Sequence, residues 1–189
     1  MFNENFQKSF LSETPQRISP IGSDMFSNMV KSMQEFVNAG IKTVSCGNGY
    51  YRTASTQVVF YWHEKNDTID IIAELGVKPY CYEVYQVAKN SSDVSAVDLY
   101  GVILKDAGVV ISDDYMTDKG KGIWLRLLDT GHRVSVYNRI NPDDLIPLNR
   151  GNIEQYMSER RFRFVLSASP EVDALFRTRK LRTLAGYPK

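Results

Sequence analysis

The segment from Thr56 to Lys89 limits what this chain can fold into more than any other. TQVVFYWHEK and TIDIIAELGV are rich in β-branched and aromatic residues, and they flank Asn66-Asp67, a pair that tolerates the left-handed backbone of a tight hairpin turn. YCYEVYQVAK, over residues 80–89, alternates as a half-buried strand does. Residues 58–89 are therefore predicted to form three consecutive antiparallel strands, with turns at Asn66-Asp67 and near Lys78-Pro79.

The elements around this core follow from periodicity. Ser23 or Asp24 is expected to cap the helix DMFSNMVKSMQEFVNAG, whose Met25, Phe26, Met29, Val30, Met33, Phe36 and Val37 share one face and which ends at Gly40. That face is expected to pack on the sheet rather than to stay open as an adaptable methionine surface. IKTVSC (41–46) reads as a strand ending at Gly47-Asn48-Gly49. After the polar run NSSDVS come a helix from about Ala96 to Asp106, a short buried strand in GVVISDD, a helix from about Asp118 to Asp129, and a strand in HRVSVYNR. Trp124, Leu127 and Leu128 fall at i, i+3 and i+4, which predicts that they are buried together against the sheet. Residues 141–158 read as a surface connection with a short helix, and the C-terminal stretch from Arg160 as one more strand followed by a basic tail. Antiparallel strands first and crossovers later indicate an α+β class: a mixed, mainly antiparallel sheet flanked by helices.

A length of 189 residues suits one domain with arms at either end. The net charge of +1 offers no global attraction for nucleic acid or membrane, so electrostatic partners must be sought locally. Cys46 and Cys81 are too few for a disulfide framework and are read as reduced thiols. Neither a signal peptide nor a membrane-spanning run is expected, which points to the cytoplasm of the producing cell or to a particle assembled there.

The order helix, antiparallel strands, helix, strand, helix, strand resembles the N-acetyltransferase (GNAT) superfamily fold over roughly residues 24–138. In that family the fourth strand splays from the fifth and acyl-CoA sits in the gap. The resemblance sets YCYEVYQVAK as the splayed strand, SAVDLYGVILKDA as the following helix, GVVISDD as the fifth strand, DKGKGIWLRLLDTG as the last helix and HRVSVYN as the sixth strand. DLYGVILKD, ISDDYMT, KGKGIWLRLL and VSVYN together look like the degenerate acetyltransferase-like proteins encoded by bacteriophages, and the phage-encoded expectation rests on this likeness.

Two departures bear on activity. The family's glycine-rich pyrophosphate loop corresponds to Asn90-Ser91-Ser92-Asp93-Val94-Ser95, which lacks glycine. Asp93 would set a negative charge beside two phosphates, a repulsion of roughly 3 kcal/mol at about 5 Å and an effective dielectric of about 20. The resemblance also implies a tyrosine general acid in the last helix, where this chain has Trp124, a poor proton donor at neutral pH. No cofactor and no catalytic residue are therefore expected.

Other constellations have modest alternatives. Lys119-Gly120-Lys121-Gly122 is either a phosphate cradle or, preferably, a loop-to-helix junction with solvated lysines. Asp113, Asp114 and Asp118 offer oxygen ligands without the spacing of a known metal loop, so no metal is expected. His63 and His132 have no partner at metal-ligand spacing, and a Cys46–His63 nucleophile pair is weaker than a half-buried histidine and a core cysteine.

The ends carry the remaining signal. Phe2, Phe6 and Phe10 recur at helical spacing in a polar arm, and Arg177, Arg179, Lys180 and Arg182 form the dense part of a tail with eight Lys or Arg against two acids from Arg160 onward. Such a tail suits an acidic protein surface, self-assembly or nucleic acid. The chain thus divides into an N-terminal arm (1–22), a GNAT-like core (23–140) and a C-terminal extension with a basic tail (141–189). The expected function is that of a non-catalytic interaction or structural protein, cytoplasmic in the host or virion-associated; the alternative is an acyl-CoA-dependent N-acyltransferase with an atypical cofactor loop.

Overall fold

A computed structural model describes residues 23–78, 81–113, 116–140, 145–157 and 159–177. The predicted three-strand unit is present as β3 (Val58–Lys65), β4 (Thr68–Lys78) and β5 (Cys81–Lys89), paired antiparallel in sequence. Asn66 and Asp67 both take positive φ, at 51° and 57°, as a two-residue hairpin turn matched to strand twist requires. Before this unit come α1 (Ser23–Asn38), β1 (Thr43–Gly47) and β2 (Tyr50–Ala54). Ser23 and Asp24 lie inside the first turn of α1 rather than ahead of it, and the Asp24 carboxylate complements the positive end of the helix. β1 turns at Gly47-Asn48-Gly49 as expected and returns at once as β2, a strand with too little alternation to stand out in sequence.

The crossover half follows as α2 (Ala96–Ala107), β6 (Val109–Ile111), α3 (Asp118–Asp129), β7 (Arg133–Asn138), β8 (Leu145–Pro147), α4 (Glu154–Met157), β9 (Phe162–Ser167) and α5 (Pro170–Arg177). All described strands share one nine-stranded sheet in the order β1-β2-β3-β4-β5-β6-β9-β7-β8, antiparallel except for the β5–β6 pair. The class is α+β. β9, in the C-terminal part of the chain, is inserted between β6 and β7 and forms a ladder with each.

Both faces are covered. The apolar stripe of α1 (Met29, Met33 and Phe36) buries against Val58, Phe60, Trp62, Ile72 and Ala88, with Phe36 edge-on to Phe60 at 5.2 Å. On the opposite face α2 and α3 bring Leu99, Tyr100, Ile103, Trp124 and Leu127 onto Tyr61, Leu75, Val110, Val136 and Phe164. Trp124 and Leu127 are buried as their spacing predicts, while Leu128 is only half-buried beside them. On the α1 side, Val172 of α5 covers a smaller cluster around Cys81, Ile111 and Val165. No helix among the described residues is long and apolar enough to cross a membrane.

β5 carries a bulge: Leu75 faces Val84 and Glu74 faces Gln86, so Tyr85 is the extra residue. The bulge lays the Tyr85 ring over Gly76, where a Cβ would come within 2.2 Å of the hydroxyl oxygen and 2.4 Å of Cζ. Gly76→Ala is expected to destabilise the protein by about 1–3 kcal/mol through overpacking. In a Tyr85→Ala background most of that cost should vanish. Urea unfolding of the four proteins of this cycle checks it; an equal cost in both backgrounds would refute the contact.

Candidate functional site

The point where β5 and β6 part is the one place, among the described strands, where the sheet changes from antiparallel to parallel pairing, with the α2 crossover between the two strands. Only Tyr82↔Val110 and Glu83↔Ile111 are paired. Beyond these rungs β5 continues to Lys89 while β6 ends at Ile111, so the strands separate at their carboxyl ends. In open sheets such a parting is where ligands are usually met.

On the α2–α3 side the parting is lined by rings. Tyr100 stands edge-on to Trp124 at 5.8 Å, and Trp124 lies 5.6 Å from Phe164. Burial, reinforced by the charge of Asp113, raises the Tyr100 hydroxyl well above its ordinary range, so it remains a neutral phenol. The loop leading into α2 is bonded to itself and to its neighbour. The amides of Asn90 and Ser91 donate to the Asp70 carbonyl at 2.8 and 3.3 Å, that of Asp93 to Ser91 Oγ at 3.1 Å, and that of Val97 to the cap oxygen Ser95 Oγ at 3.1 Å.

The α1 side of the same junction is polar. Arg163 of β9, 1% exposed, donates from Nε to the Ser112 carbonyl at 2.6 Å and from a terminal nitrogen to Glu83 Oε1 at 2.5 Å. Lys78 Nζ holds Glu83 Oε2 at 3.2 Å. Tyr85 stands in the field of these charges, its hydroxyl raised chiefly by burial. Glu74 is 7% exposed, and burial alone pushes its carboxyl above the ordinary value. The Cys81 thiol is pushed up to about 12, first by burial and then by Glu83, which makes it a protonated core group rather than a nucleophile.

Most residues singled out in the sequence are placed apart from this junction. His63 Nδ1 pairs with Asp70 at 2.9 Å, under the edge of Tyr50, whereas Cys46 is exposed on the edge strand β1 with its Sγ 4.0 Å from the Val44 carbonyl; no hydrogen bond joins them. His132 Nδ1 meets Thr130 Oγ1 at 2.9 Å. Lys119 to Gly122 lie within α3, where Thr117 caps the Gly120 amide at 3.1 Å and Lys121 pairs with Asp118. Among the described residues no three or more His, Cys, Asp or Glu side chains are grouped to hold a metal. Arg177 ends α5, but its side chain, Arg179, Lys180, Arg182 and the arm with Phe2, Phe6 and Phe10 lie outside the described residues, as does Asp114.

The polar junction has little signature in the sequence. Glu74 had a signal, a lone acid inside the apolar run IIAELGV. The Glu83–Arg163 pair had none, because 80 positions separate its members. No family model matches the chain, and neither a curated protein nor a solved structure matches it.

Two outcomes follow from the junction. Arg163→Met should cost about 3 kcal/mol by leaving Glu83 short of its buried partner, and Glu83→Leu in the same chain should recover most of it; unfolding midpoints decide. For Glu74 the folded carboxyl titrates above its ordinary 4.5. The unfolded chain therefore releases that proton first, and stability falls as pH rises from about 4.5 through the folded value. Glu74→Gln should remove this loss, so the stability gap between variant and parent should widen with pH across that window; a pH-independent gap would contradict it.

Proposed function

We propose that this chain is a non-catalytic interaction or structural protein on a GNAT-like scaffold, phage-encoded and acting in the host cytoplasm or within the virion. The scaffold reading is supported by the element order and by the splayed parallel pair, β5 and β6, at the centre of an otherwise antiparallel sheet. One observation carries the non-catalytic reading: the positions that a transferase would devote to acyl-CoA are engaged in holding the fold. Four amides between Asn90 and Val97 are bonded within the chain, and Trp124 is packed between Tyr100 and Phe164 at the position where the family's proton donor would stand. Asp93 adds a charge that opposes phosphate. Partner contacts are assigned to the ends, through Phe2, Phe6 and Phe10 and through Arg177, Arg179, Lys180 and Arg182, with a protein partner or self-assembly as the leading use and nucleic acid as a second use of the basic tail.

The splay of β5 from β6 also favours a second reading, an acyl-CoA-dependent N-acyltransferase with an atypical loop. Thermal unfolding with and without acetyl-CoA separates the two. A chain without the site should show no shift at millimolar ligand. Stabilisation of about 2.7 kcal/mol at a hundredfold excess over a dissociation constant would move the function to the second reading.

A further inference from the structure

Where α1 passes the turn ends of β2, β3 and β4, a groove of about 450 Å³ opens on the α1 side of the sheet. Tyr51 stacks on Trp62 within it, the rings 5.8 Å apart and 25° from parallel. Trp62 Nε1 donates to Glu64 Oε2 at 3.2 Å, which fixes that carboxylate and leaves its second oxygen available. Asp67 adds a second carboxylate from the hairpin turn, and Gln34 and Asn38 bring side-chain amides from α1. Among the described residues no lysine or arginine lines the groove. A flat aromatic surface beside an oriented carboxylate suits a guanidinium, which stacks on rings and pairs with carboxylates through its planar fork, better than it suits an ammonium. The same carboxylates repel phosphate, which weighs against nucleic acid here.

The chain contains a segment of matching chemistry. Arg177-Thr178-Arg179-Lys180-Leu181-Arg182 opens a stretch, residues 177–189, with five basic residues and no acid. It leaves the described structure at the end of α5, which follows β9 at the end of the sheet where β4 finishes, whereas the groove lies at the opposite, turn end of β4. β9 is also four strand positions from β3, about 19 Å at the usual spacing. Within one chain the segment that starts with α5 would have to cross that lateral distance and pass from one end of the strands to the other to arrive. A second copy, set with its α5 beside the groove, needs no such crossing. We propose that the groove between α1 and the β2–β4 turn ends receives the basic segment 177–189 of a second copy, with an arginine lying on Tyr51 and paired with Glu64. This rests on the interaction reading above, and it gives the basic tail a receptor.

The test uses the full chain, a variant carrying Glu64→Gln and Asp67→Asn, and a chain ending at residue 176, each followed by sedimentation across concentration and salt. Both substitutions keep shape, and the amide introduced by Glu64→Gln keeps an acceptor for Trp62, so an unchanged unfolding midpoint serves as the folding control. Self-association of the parent should weaken with salt and should weaken about tenfold or more in the double variant and in the shortened chain. A labelled peptide of residues 177–189 should bind the shortened chain and lose about tenfold in affinity when its arginines are replaced by lysine. Association that needs the tail but survives in the double variant would overturn the groove and leave the interaction function standing. Association that ignores the tail, or a tail cross-linked to Glu64 within a monomer, would overturn the inference outright, the first of these also removing the tail from the proposed function.

Discussion

The Arg163 guanidinium holds together the part of the sheet that backbone pairing holds least. β5 and β6 share only two rungs, and parallel pairs are slightly weaker per residue than antiparallel ones. Arg163 starts from β9, on the far side of β6, takes the Ser112 carbonyl on its way, and ends on Glu83 of β5. One side chain thus ties three strands. Burying a guanidinium is costly unless its donors are met, and here a backbone carbonyl and a carboxylate meet them while Lys78 shares the carboxylate. The arrangement is also sensitive to register. If β9 slipped by one residue, Arg163 would turn to the α2–α3 side, into the rings of Tyr100 and Trp124, and Phe164 would turn into the polar cluster.

That alternation gives the junction two unlike sides. Phe164 and Leu166 face the helices α2 and α3, and Arg163 and Val165 face α1 and α5. The helix side is therefore dry and ring-lined, while charge collects on the other. Glu74 lies on this side without a partner to offset its burial, and the bulge at Tyr85 interrupts the ladder beside it. A parting of strands attracts ligands when backbone groups at their ends are free. Here the loop amides bond to Asp70, Ser91 and Ser95. A phosphate bound at this loop would have to displace those contacts.

What was legible in the sequence was what depends on near neighbours. The hairpin at Asn66-Asp67 was visible because turn chemistry and strand composition agree over a few residues. The bounds of α2 and α3 were visible because Ser95 and Thr117 cap helices whose apolar spacing is regular. The burial of Trp124 followed from i, i+3 and i+4 spacing alone. β2 is hard to read in the sequence because its five residues combine Tyr, Arg and Thr, with only Tyr50 and Thr53 fully buried. The insertion of β9 between β6 and β7 is set by long-range pairing, for which RFRFVLS carries no local mark. The same holds for Glu83 with Arg163 and for the groove of Tyr51, Trp62 and Glu64: each needs strands brought into register before its members become neighbours.

The edges of the sheet bear on how copies of such a chain can associate. An open sheet offers unpaired backbone at its outer strands, and edge-to-edge pairing is the simplest way for copies to join. Both edges are poorly suited to it. β1 has five residues and a bulge near its end, and β8 has three residues and finishes in Pro147, which lacks an amide hydrogen. Association is then left to side-chain surfaces, where charge can select the partner. The proposed groove lies at the turn end of β3 and β4, and the basic segment leaves from beyond β9, so the two halves of that contact are different patches of one molecule. After a first pairing one copy keeps a free tail and the other a free groove. These two meet each other in a reciprocal two-fold dimer, close into a larger ring or continue as a chain, and the angle between groove and tail decides which.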